Sequence, residues 1–175
     1  MADNLAMVTL VLGGAASGKS RFAQSLAERC AGTLLYVATA HAGDAEMAER
    51  ISRHRQARGE RWRTLEAPLD LAAIIPATAG HGAVLVDCVT LWLTNLLLAG
   101  DGAAAAWPAV EDFLAKLDTL PVPLVLVSNE VGHGIVPEHA LARAFRDLAG
   151  EVNQRLAARA DRVWLVTAGL PLRLK

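Results

Sequence analysis

A short apolar run, Met7–Leu12 (MVTLVL), stops at two glycines and opens Gly13-Gly14-Ala15-Ala16-Ser17-Gly18-Lys19-Ser20, which fits GxxxxGK[ST]. No other stretch constrains the chain as strongly. The glycines let consecutive backbone N–H groups curl inward around a phosphate, Lys19 neutralises the β- and γ-phosphates, and Ser20 offers its hydroxyl to Mg²⁺. Residues 18–30 then read as a helix, with Phe22, Leu26 and Cys30 on one stripe. The N-terminal end of that helix adds partial positive charge. A buried strand, a glycine turn and a helix in this order separate a phosphate loop from a chance match in a Gly/Ala-rich turn.

The rest of the chain alternates in the same way. Strands are expected at Leu34–Ala38, Ala83–Val86, Val122–Ser128 and Val163–Thr167, with one more short strand in the final GLPLRLK. Helices are expected from Asp44 to about Arg58, with Met47, Ile51 and His54 on one face, and over Leu91–Ala99 and Trp107–Leu117. Gly100–Ala106 reads as a surface connection, and Pro108 is tolerated in a first helical turn. After the break at Gly132-His133-Gly134, a long helix starts at Pro137 with the stripe Leu141, Phe145, Leu148, Val152 and Leu156. Together these predict an α/β fold: a P-loop NTPase-like (RecA-like) three-layer sandwich, its mostly parallel sheet covered by helices on both faces.

With 175 residues and 53% hydrophobic content, one domain spanning 1–175 is expected, and a disordered or fibrous chain is excluded. Seventeen basic residues against 18 acidic ones leave a net charge of −1, which gives nucleic-acid binding no support. Cys30 and Cys88 lie far apart and form no CxxC pair, as suits a reducing cytoplasm. The N-terminus carries Asp3 and no basic run. The apolar stretch Ala83–Ala99 is interrupted by Asp87, Thr90, Thr94 and Asn95. A cytoplasmic protein with no membrane span is therefore expected.

A metal-holding carboxylate partnered with the loop should end a neighbouring strand. Asp87, after Ala83-Val84-Leu85-Val86, fits that role and would hold Mg²⁺ with Ser20; the alternative is a cap on the next helix. Asn129-Glu130 end another strand on the same crevice, where they orient water or substrate or simply make a turn. His54 shares a face with Met47 and Ile51, as an ordinary half-buried histidine would. Yet Arg50, Arg53, Arg55 and Arg58 surround it, and such cations favour the neutral, nucleophilic imidazole and attract polyphosphate. A solvated basic face balanced by Glu46, Glu49 and Glu60 is the alternative. His41, His81, His133 and His139 show no ligand spacing.

Nearly the whole chain resembles the bifunctional adenosylcobinamide kinase/adenosylcobinamide-phosphate guanylyltransferase family of cobalamin biosynthesis. The resemblance is carried by GGAASGKS at 13–20, YVATA at 36–40, DAEMAERISRHR at 44–55 and WRTLE at 62–66. It continues through the strand ending at Asp87, TNLL at 94–97, and the long block from Asn129 to Val166. It implies that His54 attacks the α-phosphate of GTP, expels pyrophosphate and carries GMP as a phosphoramidate.

By the same resemblance Ala38, Thr39, Ala40, Arg55, Gln56, Ala57, Arg58 and Glu66 are nucleotide-contacting positions, beside Gly13 to Ser20 of the loop. Glu66 suits guanine, whose N1–H and 2-amino groups are donors that a carboxylate accepts. Family members often carry arginine where this chain has Ala16, so a contact from that side chain is absent here or supplied elsewhere. The substrates implied are ATP or GTP, adenosylcobinamide and its phosphate, with Mg²⁺ as cofactor and a homo-oligomer, a trimer, as the assembly. Two rival readings are a monofunctional P-loop small-molecule kinase and a non-enzymatic nucleotide switch.

Overall fold

The computed structural model describes residues 5–40, 59–100 and 102–175. In chain order it contains β1 (Val8–Gly13), α1 (Lys19–Ala27), β2 (Leu34–Ala38), β3 (Trp62–Glu66), a 3₁₀ segment at Ala72–Thr78 and β4 (Ala83–Asp87). Then follow α2 (Val89–Ala99), α3 (Ala103–Lys116), β5 (Leu124–Asn129), α4 (Ala140–Arg159), β6 (Arg162–Thr167) and β7 (Leu170–Arg173). The strands form one sheet in the order β3-β2-β4-β5-β1-β6-β7, parallel throughout except for the antiparallel β6–β7 pair. This is an α/β P-loop fold.

Strand alternation builds two cores. Val8, Leu10 and Leu12 of β1, Val84 and Val86 of β4, and Leu124 and Leu126 of β5 pack on one face with Trp92, Phe113, Leu148 and Val152 from α2, α3 and α4. Val11, Leu85, Val125 and Val127 point to the opposite face, where Ala23, Leu26 and Ala27 of α1 cover them. Central strands buried on both sides read as continuous apolar runs, which is why β1, β4 and β5 stand out in the sequence. Trp92 is wholly buried, meets the Phe113 ring edge-on at 5.5 Å and donates its indole N–H to the Leu69 carbonyl at 2.8 Å.

Several boundaries differ from expectation. Ala103–Ala106 is the first turn of α3 rather than a connection, since alanine is the strongest helix former and Ala106 is buried. The long helix α4 starts at Ala140, not Pro137; Arg143 instead turns back to donate to the Pro137 carbonyl at 3.0 Å. α1 stops at Ala27, leaving Cys30 beyond it. Residues 62–66, not expected as a strand, form the edge strand β3, on which only Trp62 is fully buried. The helix expected over 44–58 lies outside the described residues. Among those described, no helix is long and apolar enough to cross a membrane.

Candidate active site

The strand register lines up one row across the sheet near its C-terminal edge: Glu66, Ala38, Asp87, Val127, Val11. Glu66, Ala38 and Asp87 therefore share the edge of the sheet from which the phosphate loop also leaves, the edge where parallel α/β sheets hold ligands. The phosphate loop leaves β1 at Gly13 and enters α1 at Lys19. A Cβ at Gly13 would lie 2.5 Å from the Val166 carbonyl and 2.6 Å from Ser17 Oγ, so only glycine fits there. Ala16 (φ 54°) and Gly18 (φ 92°) take left-handed conformations that bend the backbone around the loop.

Lys19 is 8% exposed, and its ammonium donates to the Gly14 carbonyl at 2.9 Å. The charge is thus held over the loop by the loop itself. Ser17 Oγ is buried there with no hydrogen-bond partner among the described residues. Gly14, Ala15 and Ala16 are exposed, and Ser20 is half-buried on the first turn of α1.

Asp87 ends β4 half-buried, but its strand does not neighbour β1 as expected: β5 lies between them. The end of β5 therefore emerges between the loop and Asp87. There Asn129, opposite Gly13 in register, donates to Thr90 Oγ1 at 2.6 Å. The Glu130 N–H donates to the Gly13 carbonyl at 3.1 Å. Asn153 of α4 donates to the Asn129 carbonyl (3.2 Å) and to Glu130 Oε1 (3.3 Å). Thr90 and Asn153 escaped the sequence reading. The only signal was an asparagine inside the buried stripe of α4, where an apolar side chain would be ordinary.

Of the Ala38-Thr39-Ala40 segment, Ala38 and Thr39 are buried and Ala40 is half-buried. The Thr39 hydroxyl donates to the Cys88 carbonyl and accepts from the Cys88 N–H, each at 2.8 Å. Asn95 Nδ2 donates to the Thr39 and Pro68 carbonyls at 2.8 and 2.9 Å. Thr39 thereby ties β2 to β4, and its hydroxyl is committed to that task. Burial pushes the Cys88 thiol up, against the opposing Thr90 hydrogen bond. Glu66 is exposed at the end of β3. His54, Arg55, Gln56, Ala57 and Arg58 lie outside the described residues.

Among the described residues no cluster of three or more His, Cys, Asp or Glu could hold a metal ion. A groove of about 520 Å³ between the 3₁₀ segment and α3, lined by Asp70, Ile75, Asp112 and Lys116, contains none of the expected site residues.

The family described as Cobinamide kinase / cobinamide phosphate guanyltransferase matches residues 9–174. The chain is 49% identical over 170 residues to the bifunctional adenosylcobalamin biosynthesis protein CobP of Pseudomonas aeruginosa, covering 97% of this chain and 98% of that one. It is 46% identical over 182 residues to the bifunctional adenosylcobalamin biosynthesis protein CobU of Salmonella typhimurium, covering 97% of this chain and all of the relative (100%). Among solved structures, a KaiC-like protein from Pyrococcus horikoshii OT3 superposes with a TM-score of 0.54 at 12% identity, over 92% of this chain and 71% of that one. The flagellar accessory protein FlaH from Methanocaldococcus jannaschii does so at 0.50 and 13%, over 98% and 79%. These two likenesses concern the fold alone. The phosphate loop and a match along nearly the entire chain agree: this chain belongs to the cobinamide kinase / cobinamide phosphate guanyltransferase family, and it is a bifunctional kinase and guanylyltransferase of cobalamin biosynthesis.

Proposed function

We propose that a single domain, 1–175, runs both reactions over the one phosphate loop. In the kinase step the γ-phosphoryl of ATP or GTP passes to the hydroxyl of adenosylcobinamide. The loop amides from Gly13 to Ser20 and the Lys19 ammonium stabilise charge on the phosphates, which is most of what phosphoryl transfer asks of a protein. The observation that carries this reading is Lys19, buried and held over the loop by the Gly14 carbonyl. The unpartnered Ser17 hydroxyl inside the same loop supports it.

The donors for a metal are one hydroxyl, Ser20, and one carboxylate, Asp87. Both are hard oxygen ligands, the kind that Mg²⁺ takes beside waters and phosphate oxygens. When bound, Mg²⁺ supplies charge neutralisation on the phosphates.

In the transfer step the His54 imidazole attacks the α-phosphorus of GTP. A P–N bond forms, the bond to the bridging oxygen breaks, and pyrophosphate leaves. A phosphate oxygen of adenosylcobinamide phosphate then attacks the same phosphorus, which frees His54 and gives adenosylcobinamide-GDP. Arg55, Gln56, Ala57 and Arg58 follow His54 and contact the nucleotide, as do Ala38, Thr39 and Ala40. For Thr39 the contact comes from the backbone, since its hydroxyl is committed to Cys88. Glu66 accepts from guanine at the far end of the crevice. Four strand spacings separate β3 from β1, about 19 Å, a span suited to an extended nucleoside triphosphate.

The protein works in the cytoplasm as a homo-oligomer, a trimer by family resemblance, and takes no nucleic acid. The two free cysteines suit a reducing compartment, and the exposed Leu170 and Leu172 of β7 offer an apolar edge to a second copy. Incubation with labelled GTP and Mg²⁺ tests the transfer mechanism. The wild type should acquire covalent GMP that is labile in acid and stable in base. His54→Ala and His54→Asn should lose the adduct while still binding nucleotide and phosphorylating adenosylcobinamide. A guanylylated His54→Ala protein would move the nucleophile elsewhere.

A further inference from the structure

We propose that Glu130 is the general base of the kinase reaction, taking the proton of the corrinoid hydroxyl as that oxygen attacks the γ-phosphorus. The inference rests on the kinase activity of the family and is independent of which residue carries GMP. Its first support is placement. β5 is the strand inserted between β1 and β4, so the residue leaving it stands between the phosphate loop and Asp87. The Glu130 N–H bonded to the Gly13 carbonyl at 3.1 Å locks this position to the start of the loop.

The second support is how the carboxylate is held. Oε1 accepts from Asn153 Nδ2 at 3.3 Å, while Oε2 lies 3.5 Å from His133 Nε2, and the side chain keeps 28% of its surface open. One oxygen is fixed by Asn153, and the side chain as a whole stays partly open. A base needs this division: orientation from one side and access from the other. Asn153 is itself 6% exposed, and its Oδ1 has no partner among the described residues.

Other candidate groups at this edge of the sheet are less suited. Asn129 is an amide, and its Nδ2 is given to Thr90. Asp87 is spoken for by the metal under the proposed function, and Glu66 stands at the opposite edge strand. In the step itself the hydroxyl O–H breaks and its proton goes to Glu130 Oε2. The oxygen forms its bond to the γ-phosphorus, and the bond from that phosphorus to the bridging oxygen breaks. The electron pair leaves with the nucleoside diphosphate. His133, 80% exposed, offers the proton a way to solvent afterwards.

Glu130→Gln tests this, because glutamine keeps the shape and still accepts from Asn153. Kinase turnover with adenosylcobinamide should fall by about 100-fold or more, the usual range for losing a positioned base, with nucleotide KM changed by less than about threefold. Guanylyl transfer to supplied adenosylcobinamide phosphate should stay within about threefold of wild type, since the base has no part in it. Glu130→Asp, which keeps a carboxylate but withdraws it by one methylene, should fall between the two. Kinase turnover within about threefold of wild type in Glu130→Gln would overturn the assignment. So would parallel loss of both reactions in either variant, which would mark Glu130 as structural.

Discussion

The backbone N–H of Gly169 donates to the carbonyl of Ser17 at 2.8 Å, so the turn between β6 and β7 is tied to the phosphate loop. Ala168 and Gly169 both have positive φ, 51° and 80°, the two-residue turn that matches the twist of a hairpin. A Cβ on Gly18 would sit 3.3 Å from the Gly169 Cα, whereas one on Gly169 would meet only the Arg21 guanidinium, at 3.9 Å. Both alanine substitutions carry left-handed strain of about 1–2 kcal/mol. Gly18→Ala adds pressure against rigid backbone and should therefore lose more stability and nucleotide affinity than Gly169→Ala. Thermal denaturation and calorimetric titration with GTP measure both, and a larger loss in Gly169→Ala would contradict the packing argument.

Lys19→Ala should remove kinase and guanylyltransferase activities together, because one loop serves both. Losses of at least about 100-fold, or about 2.7 kcal/mol, are reasonable for a phosphate-clamping charge. A variant that loses one activity and keeps the other at the wild-type rate would show that the two reactions use separate phosphate sites.

Glu66→Gln and Glu66→Ala should weaken the use of GTP in the transfer step much more than the use of ATP in the kinase step. Removing an acceptor from paired donors costs discrimination on the order of several kcal/mol. Steady-state kinetics with each nucleotide decide it. Equal losses would assign this exposed carboxylate to the structure of β3.

Burial raises the Cys88 thiol above its ordinary value of 9.0. The folded state then favours the protonated thiol more than the unfolded chain does. Its contribution to stability is complete below pH 9.0 and is lost as pH rises from there through the raised folded value. Cys88 should therefore alkylate more slowly with iodoacetamide at pH 8 than the half-exposed Cys30, as followed by peptide mass mapping. Faster labelling of Cys88 would mean that the crevice opens to expose it.

The phosphate loop and the strands on which it depends are legible in the residues alone. A strand buried on both faces must be apolar along its whole length, and a backbone that wraps a phosphate needs glycine at positions such as Gly13 and Gly18. Both demands are local and leave a local record. β3 left almost none: as an edge strand it buries only Trp62 fully, and its exposed Arg63, Thr64 and Glu66 carry no apolar alternation. Ala103–Ala106 misled in the opposite sense, because a run of small residues suits a surface connection as well as a helix turn. Strand order was decided only in the tertiary structure. Every buried strand offers the same apolar faces to its neighbours, so nothing local says that β5 inserts between β1 and β4. That insertion separates Asp87 from the loop strand and brings Asn129 and Glu130 to its side. The hold of Asn153 on Glu130 and of Gly169 on Ser17 spans residues far apart in the chain. Such pairs have no periodicity to announce them, and exist only once the helix and the hairpin have docked on the sheet.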